Sequence, residues 1–469
     1  MYPIALYTLG CKLNQLESEA LAGSFRKAGF PLITPGTVMP GPGIIIINTC
    51  TVTSKADQKS RRLIRKALRE NPDSCVLVTG CYARLDPAEI TLLEAENTAG
   101  VSGRPQGRRL FVVGGGQGGA DSAGSAKSAL LELPGYLPQA EDGSSLPHIL
   151  ETWIERAQGG GPFSFKPEEF SFHSRGYLKI QDGCDKSCTY CRVCLARGSS
   201  VSLPPQAALA ELRSFEERGC AELMITGVNI TQYNHSGLDI AGLLKYLLEN
   251  SAGIALRLSS LEPEEINEEF ASVAAHPRIR PHFHLSMQSG SDTVLRRMGR
   301  AYHAQTVEQG AALLRSIKNN PFLACDIIAG FPGETETEFN QTLALCEKIG
   351  FAWIHAFPYS KRPGTAAFSL KNPVCERDAT RRVEALTALA LQGRRDYAQR
   401  WLGRALSAVM EKGSPDPEGR RRAVSENYLK LLVNGADAYS PGSSLRCTPV
   451  SLCAGADGEK PDAVAILAN

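Results

Sequence analysis

The strongest constraint on this chain is the run Cys184–Asp185–Lys186–Ser187–Cys188–Thr189–Tyr190–Cys191, three cysteines spaced C-x₃-C-x₂-C after the strand-like Tyr177–Ile180. Three thiolates that close together can wrap one face of a cubane iron–sulfur cluster. One iron is then left open for a small chelating molecule, whereas electron-transfer clusters usually fill all positions with protein thiolates. An open iron points to chemistry rather than electron storage. A zinc loop is the plainer alternative, but zinc sites pair two C-x₂-C hairpins or add histidines.

Length and composition set the frame. A chain of 469 residues exceeds one ordinary domain and is expected to hold roughly two to four. With 43% hydrophobic and 21% charged residues it has ordinary globular composition. A formal charge of +2 excludes a chain that is basic throughout, so any RNA-binding surface must be local. Fourteen cysteines, with no basic leader before the first strand at Met1–Tyr2–Pro3–Ile4, imply a cytoplasmic protein. There, clustered cysteines mean metal or catalysis rather than disulfides. No apolar run approaches the roughly 20 residues that a membrane span needs.

The first 125 residues alternate short apolar strands with amphipathic helices, which implies a parallel sheet with crossover helices. Ala5–Leu9 is followed by Gly10–Cys11, Ile44–Ile47 by Asn48–Thr49–Cys50, and Cys75–Val78 by Thr79–Gly80–Cys81. Strand C-termini share one edge in such a sheet. Cys11, Cys50 and Cys81 are therefore expected on one rim, as a second three-thiolate site. Cys75 starts its strand at the opposite edge and reads as a core residue. The helix carrying Lys55, Lys59, Arg61, Arg62, Arg65 and Lys66 is either a solvated face or a phosphate-contacting one. The Gly/Ser/Ala-rich stretch Gly114–Ser128 reads as a flexible connection leading into a linker or insert over residues 126–170, with a short helix near Leu146–Ala157. Its glycines lack the G-K-[ST] ending of a phosphate loop.

Residues 171–396 return to a strand–helix pattern. Strands are expected at Tyr177–Ile180, Glu222–Thr226, Ala255–Leu258, His282–Leu285, Leu323–Ile327 and Trp353–Phe357. Six strands suit a partial (βα)₆ barrel with functional groups at the strand C-termini. The last 70 or so residues, 397–469, read as three or four short strands forming a small all-β barrel, in which Arg420, Arg421 and Arg422 with Tyr428 are either a plain basic hairpin or supply charge and stacking for single-stranded RNA.

Several of these stretches carry a family resemblance. The C-x₃-C-x₂-C loop, entered through Leu178-Lys-Ile-Gln-Asp-Gly-Cys184, resembles the signature of radical S-adenosylmethionine enzymes. Leu9-Gly-Cys-Lys-Leu-Asn-Gln-Leu-Glu-Ser-Glu19, Asn48-Thr-Cys-Thr-Val-Thr53 and Thr79-Gly-Cys-Tyr-Ala83 resemble the three cysteine motifs of the methylthiotransferase N-terminal domain. His284-Leu-Ser-Met-Gln-Ser-Gly-Ser291 and Asp326-Ile-Ile-Ala-Gly-Phe-Pro-Gly-Glu334 resemble further family segments. The C-terminal piece resembles the TRAM module, and residues 97–172 depart most from the family. Lys361-Arg362-Pro363 resembles the subgroup acting on threonylcarbamoyladenosine in tRNA. Where family members commonly have Ile-Ile-Pro, this chain has Arg192-Val-Cys194. A fourth thiolate from Cys194 would block the open iron, so it is expected not to be a ligand.

The resemblance implies two [4Fe–4S] clusters, one on Cys11, Cys50 and Cys81, the other on Cys184, Cys188 and Cys191. It implies S-adenosylmethionine bound near Tyr190, Thr226, Gly227, Ser259, Ser260 and Gln288, with Ser289 also facing the cavity. It implies substrate contacts from Asp326, Lys361, Arg362, Arg420, Arg421 and Arg422. Alternatives stay open at some positions: Asn14 lies near the first cluster or caps a helix, Tyr190 covers the adenine or shields the cluster, and Ser259 and Ser260 reach the nucleoside or cap a helix. The reaction implied is methylthiolation at C2 of the modified adenosine at position 37 of tRNA. One S-adenosylmethionine methylates a cluster-associated sulfur and another gives the 5′-deoxyadenosyl radical. The partners implied are the tRNA anticodon stem-loop and a reductant such as flavodoxin or ferredoxin. The alternatives are methylthiolation of isopentenyladenosine or of a ribosomal protein, and a non-catalytic iron–sulfur RNA-binding protein.

Overall fold

The computed structural model describes residues 1–34, 36–37, 41, 43–98, 108–114, 125–137, 145–167, 170, 172–454 and 460–468. The chain divides into two compact units. The first holds residues 1–171, 182–186 and 191–200, and the second holds residues 172–181, 187–190 and 201–469.

The first unit is built on five parallel strands in the order β2-β1-β3-β4-β5. They are β1 (Ile4–Thr8), β2 (Leu32–Ile33), β3 (Ile44–Thr49), β4 (Cys75–Gly80) and β5 (Leu110–Val112). Every residue of β3 is buried. A run of four isoleucines suits a central parallel strand covered on both faces. Helix α1 (Lys12–Lys27) starts directly after β1. Helix α2 (Ser54–Glu70) starts after β3, where the Thr53 hydroxyl accepts from the Ala56 amide at 3.1 Å. The two outer strands are too short to have been legible. Of the stretch expected to be a flexible connection, residues 115–124 lie outside the described residues. Its end is not a loose tether: Ser125–Ser128 is helical and runs into Ala129–Leu131, whose Ala129 and Leu130 are buried. Leu146–Arg156 is the expected helix, buried through Ile149, Leu150 and Trp153.

In the second unit, parallel strands Gly176–Lys179, Glu222–Thr226 and Ala255–Leu258 form one sheet. Ser260–Leu261, His282–Gln288, Phe322–Ala329 and Trp353–Pro358 form another. Only Ser259 separates the adjoining strands, so the six expected strands follow one another as in a partial (βα)₆ barrel. The C-terminal piece is a closed barrel of five strands, one more than the upper expectation: Leu406–Met410, Arg421–Ser425, Lys430–Asn434, Ser444–Leu452 and Ala463–Leu467. Helix Glu376–Gln399 precedes it, and Arg394 on that helix makes a buried two-pronged ion pair with Asp462 at 2.6 and 2.7 Å. The architecture is thus α/β with a small all-β barrel at the end. No described helix is long and apolar enough to cross a membrane.

Candidate active site

Cys11, Cys50 and Cys81 follow β1, β3 and β4, three adjacent strands, at the edge where the strands end. Strands lie about 4.8 Å apart, so the three thiols are spread across the rim. Among the described residues, no three His, Cys, Asp or Glu side chains are close enough for a single metal ion. Three thiols brought to one rim by adjacent strands could each take a separate corner of a polynuclear cluster. The surrounding glycines fit that purpose. Gly10 has φ +98°, and a Cβ on it would sit 2.7 Å from the Cys50 sulfur. Gly80 has φ +96°, and a Cβ there would meet the Thr49 carbonyl. Neither position admits a side chain without displacing a cysteine or its backbone. Cys75 opens β4 and is buried in the sheet, as expected of a core residue.

Cys50 is 6% exposed. Burial pushes its thiol up to about 12, opposed in part by the Val52 amide and the Arg197 charge. Burial raises Cys81 as well, again with Arg197 pulling the other way. Iron binding would supply the deprotonation that burial withholds.

Polar residues beneath the rim form one network. Asn14 is no helix cap, since Cys11 occupies the N-cap of α1. Its amide instead donates to Leu9 O at 2.8 Å and Thr49 O at 2.9 Å, tying two cysteine-bearing strand ends together. Asn14 Oδ1 accepts from Arg197 Nη2 at 2.9 Å. Arg197 also donates to Glu17 Oε1 at 3.1 Å and to both oxygens of Asp182 at 3.0 Å. Lys127 donates to Glu17 and, at 2.8 Å, to Asn48 Oδ1. Glu17, Gly80, Cys81, Arg84, Lys127 and Arg197 line a common cavity. Sequence reasoning missed Lys127, which sits at the end of a low-complexity stretch. Only an apolar run after it, Ala129–Leu131, hinted at order.

The second cysteine loop is held just as tightly. A Cβ on Gly183, with φ +72°, would lie 1.9 Å from the Ser199 carbonyl, so only glycine passes there. The Cys184 amide donates to Gly198 O at 3.0 Å. The Val193 amide donates to the Cys191 sulfur at 3.4 Å. Cys194 is the second residue of the short helix Val193–Arg197. Thr189, beside Cys188, donates through its amide to Met298 O and through its hydroxyl to Arg297 O, at 2.9 Å each. Burial raises the Cys188 thiol, countered first by Arg300. Arg300 donates to the Tyr190 hydroxyl at 3.0 Å and to Glu262 at 2.6 Å, fixing the tyrosine in place.

The expected cofactor residues lie at strand ends of the larger unit. Thr226 ends its strand. A Cβ on Gly227 would fall 2.8 Å from Gln181 Oε1, so close approach requires glycine here. Ser259 and Ser260 do not cap a helix: Ser259 donates its amide to Ile225 O at 3.1 Å, and Ser260 opens a strand. Gln288 adopts φ +62°, a left-handed backbone that a non-glycine residue rarely takes, at a break in the strand register. Ser289 is buried, its hydroxyl 3.2 Å from the Thr342 hydroxyl.

The expected substrate residues divide. Asp326 lies 3.1 Å from His284 Nε2, and the His284 ring stacks on His355 at 5.3 Å. Lys361 is exposed, its ammonium 4.6 Å from the Phe368 ring centroid. Arg362 is 3% exposed, and its carbonyl closes a turn with Thr365. Arg420 is held by Asp416 at 2.7 Å and Glu418 at 2.8 Å, Arg421 is half-buried, and Arg422 is exposed. Tyr428 corrects the expected stacking role. Its ring packs 4.0 Å from His282, with Arg257 at 5.2 Å and Arg175 at 5.9 Å, so its face is occupied within the fold. On α2, Arg61 is engaged with Tyr82 at 3.0 Å and Glu89 at 2.8 Å, whereas Lys55, Lys59 and Arg62 face solvent.

Residues 3–101 match the model described as Uncharacterized protein family UPF0004, and residues 178–346 match the Radical SAM superfamily. The chain is 40% identical to a threonylcarbamoyladenosine tRNA methylthiotransferase of Treponema pallidum, covering 95% of this chain and 98% of that protein. A protein of the same name from Bacillus subtilis is 33% identical, covering 93% and 91%. A tRNA-2-methylthio-N(6)-dimethylallyladenosine synthase from Jannaschia is 28% identical, covering 92% and 88%. By these likenesses the chain belongs to the threonylcarbamoyladenosine tRNA methylthiotransferase family, with a radical S-adenosylmethionine domain at its centre.

Proposed function

We propose that this protein transfers a methylthio group to C2 of N6-threonylcarbamoyladenosine at position 37 of tRNA. The observation that carries the reading is the pair of three-cysteine sets, each with a glycine that leaves no room for a side chain. When bound, the two [4Fe–4S] clusters and S-adenosylmethionine supply the sulfur chemistry and the radical that removes hydrogen from C2. Cys11, Cys50 and Cys81 hold one cluster, and Cys184, Cys188 and Cys191 the other.

The remaining residues bind, orient and exclude water. Arg300 fixes Tyr190 beside the cysteine loop. Thr226, Gly227, Ser259, Ser260 and Gln288 border the S-adenosylmethionine. Asp326 and Lys361 meet the modified base and its carboxylate, with Arg362 as the buried brace of the Lys361 turn. Arg421 and Arg422 of the small barrel, with Lys55, Lys59 and Arg62 of α2, attract the phosphates of the anticodon stem-loop. A flavodoxin- or ferredoxin-type reductant delivers the electron, and the protein works in the cytoplasm.

The test uses full-length protein with reconstituted clusters, dithionite and S-adenosylmethionine. Its substrates are anticodon stem-loops with and without the threonylcarbamoyl group. Methylthio product on the modified stem-loop alone is expected. Production of 5′-deoxyadenosine with no methylthio product on any RNA would overturn the reading.

A further inference from the structure

Lys127 lies between the two family-matched regions, residues 3–101 and 178–346, yet its side chain ends beside Cys81. Its ammonium donates to Glu17 and to Asn48 Oδ1, and the residue is 6% exposed. The Phe165 ring stands 5.9 Å away. Buried Ala129, Leu130 and Leu133 anchor the segment that follows, and the Ser128 hydroxyl accepts from the Gly161 amide at 3.1 Å. The chain thus holds a cation in a nearly dry place where a surface lysine would be the ordinary outcome.

Among the described residues, the charged groups that line this cavity do not cancel. Lys127, Arg197 and Arg84 line the cavity with one carboxylate, Glu17, while Asp182 reaches Arg197 from outside that lining. Three positive groups therefore face two negative ones. A cubane held by three thiolates carries about one net negative charge when oxidised and about two when reduced. A buried cation beside it stabilises the reduced form more than the oxidised form, because Coulomb interactions are weakly screened there.

We propose that Lys127 is a positioning residue for the N-terminal cluster, its buried ammonium raising that cluster's reduction potential. This rests on the assignment of that cluster to Cys11, Cys50 and Cys81. Asn48 and Glu17 hold the ammonium in place, and Glu17 tempers its charge.

The test is a redox titration followed by electron paramagnetic resonance. The parent is the full chain carrying Cys184→Ala, Cys188→Ala and Cys191→Ala, so that only the N-terminal cluster is present. Lys127→Met is expected to move the midpoint to a more negative potential, while Lys127→Arg keeps it near the parent value. Glu17→Gln is expected to move it the other way. An unmoved midpoint in Lys127→Met at unchanged iron content overturns the proposal. If Lys127→Met holds no iron, Lys127→Gln, which keeps an amide donor for Asn48, decides: a negative shift supports the proposal and an unmoved midpoint overturns it. A parent that holds no iron brings down the cluster assignment itself, and the proposal with it.

Discussion

Arg197 donates to Glu17 across 180 residues of sequence, Nη1 to Oε1 at 3.1 Å. The same guanidinium takes both oxygens of Asp182, just ahead of Cys184. The stretch of residues 191–200 that follows the third loop cysteine is therefore tied into the N-terminal unit by one buried fork. Both terminal nitrogens are engaged, and the guanidinium stands near enough to Cys50 and Cys81 to oppose the rise that burial imposes on both thiols.

Removing that fork should be costly. Arg197→Met leaves Glu17 and Asp182 buried with a partner lost, and breaking such a pair costs about 3–5 kcal/mol. Thermal unfolding should show a clear loss of stability. Arg197→Lys should recover only part of it, because an ammonium cannot make the planar two-pronged contact. A melting temperature equal to that of the parent would contradict this.

The two cysteine sets should fail differently. Cys184→Ala should abolish formation of 5′-deoxyadenosine. Cys50→Ala should leave that formation intact and stop methylthio transfer. Chromatography with mass detection reads both products in one reaction, and methylthio transfer retained by Cys50→Ala would refute the two-cluster assignment.

What was legible in the sequence was whatever a strand end imposes. Cysteines after three apolar runs had to share a rim once the runs formed a parallel sheet, and the sheet places β1, β3 and β4 side by side. The need for glycine at positions 10, 80 and 183 was not legible, because the atoms that crowd them, the Cys50 side chain and the backbone of Thr49 and Ser199, are distant in sequence. Lys127 was illegible because its order depends on burial against the rest of the N-terminal unit, not on its Gly/Ser/Ala-rich neighbours. Tyr428 was misread for the opposite reason. Basic residues near an aromatic are the pattern of RNA binding, but here two arginines remote in sequence, Arg175 and Arg257, and His282 pack on the ring within the fold.

Glu222 gives a pH dependence with a definite sign. It is buried against Arg257 at 2.7 and 2.8 Å and Arg280 at 3.0 Å, while Arg257 also donates to Ser425 O of the small barrel at 3.0 Å. Burial alone would raise its carboxyl, but the arginines outweigh burial and hold it down from 4.5 to about 2. Its stabilising contribution is therefore present above pH 4.5 and is lost as pH falls toward 2. A shift of that size corresponds to about 3 kcal/mol. Unfolding measured from pH 6 down to pH 3 should fall less steeply in Glu222→Gln, which starts less stable. Parallel curves would contradict the assignment.

Lys361 and Arg362 should separate binding from folding. Lys361→Ala removes an exposed ammonium and should weaken use of the threonylcarbamoyl substrate several-fold at unchanged stability, in line with about 1 kcal/mol for a partly solvated ion pair. Arg362→Ala empties a buried position and should lower the melting temperature. The reverse pattern would assign Arg362 to the substrate and Lys361 to the fold.

The most direct measurement is nucleoside mass spectrometry of tRNA from a host lacking its own enzyme, with and without this chain. 2-Methylthio-N6-threonylcarbamoyladenosine is expected only when the chain is present. Methylthio on isopentenyladenosine instead would contradict the substrate. No new nucleoside from a protein with both clusters intact would contradict the function.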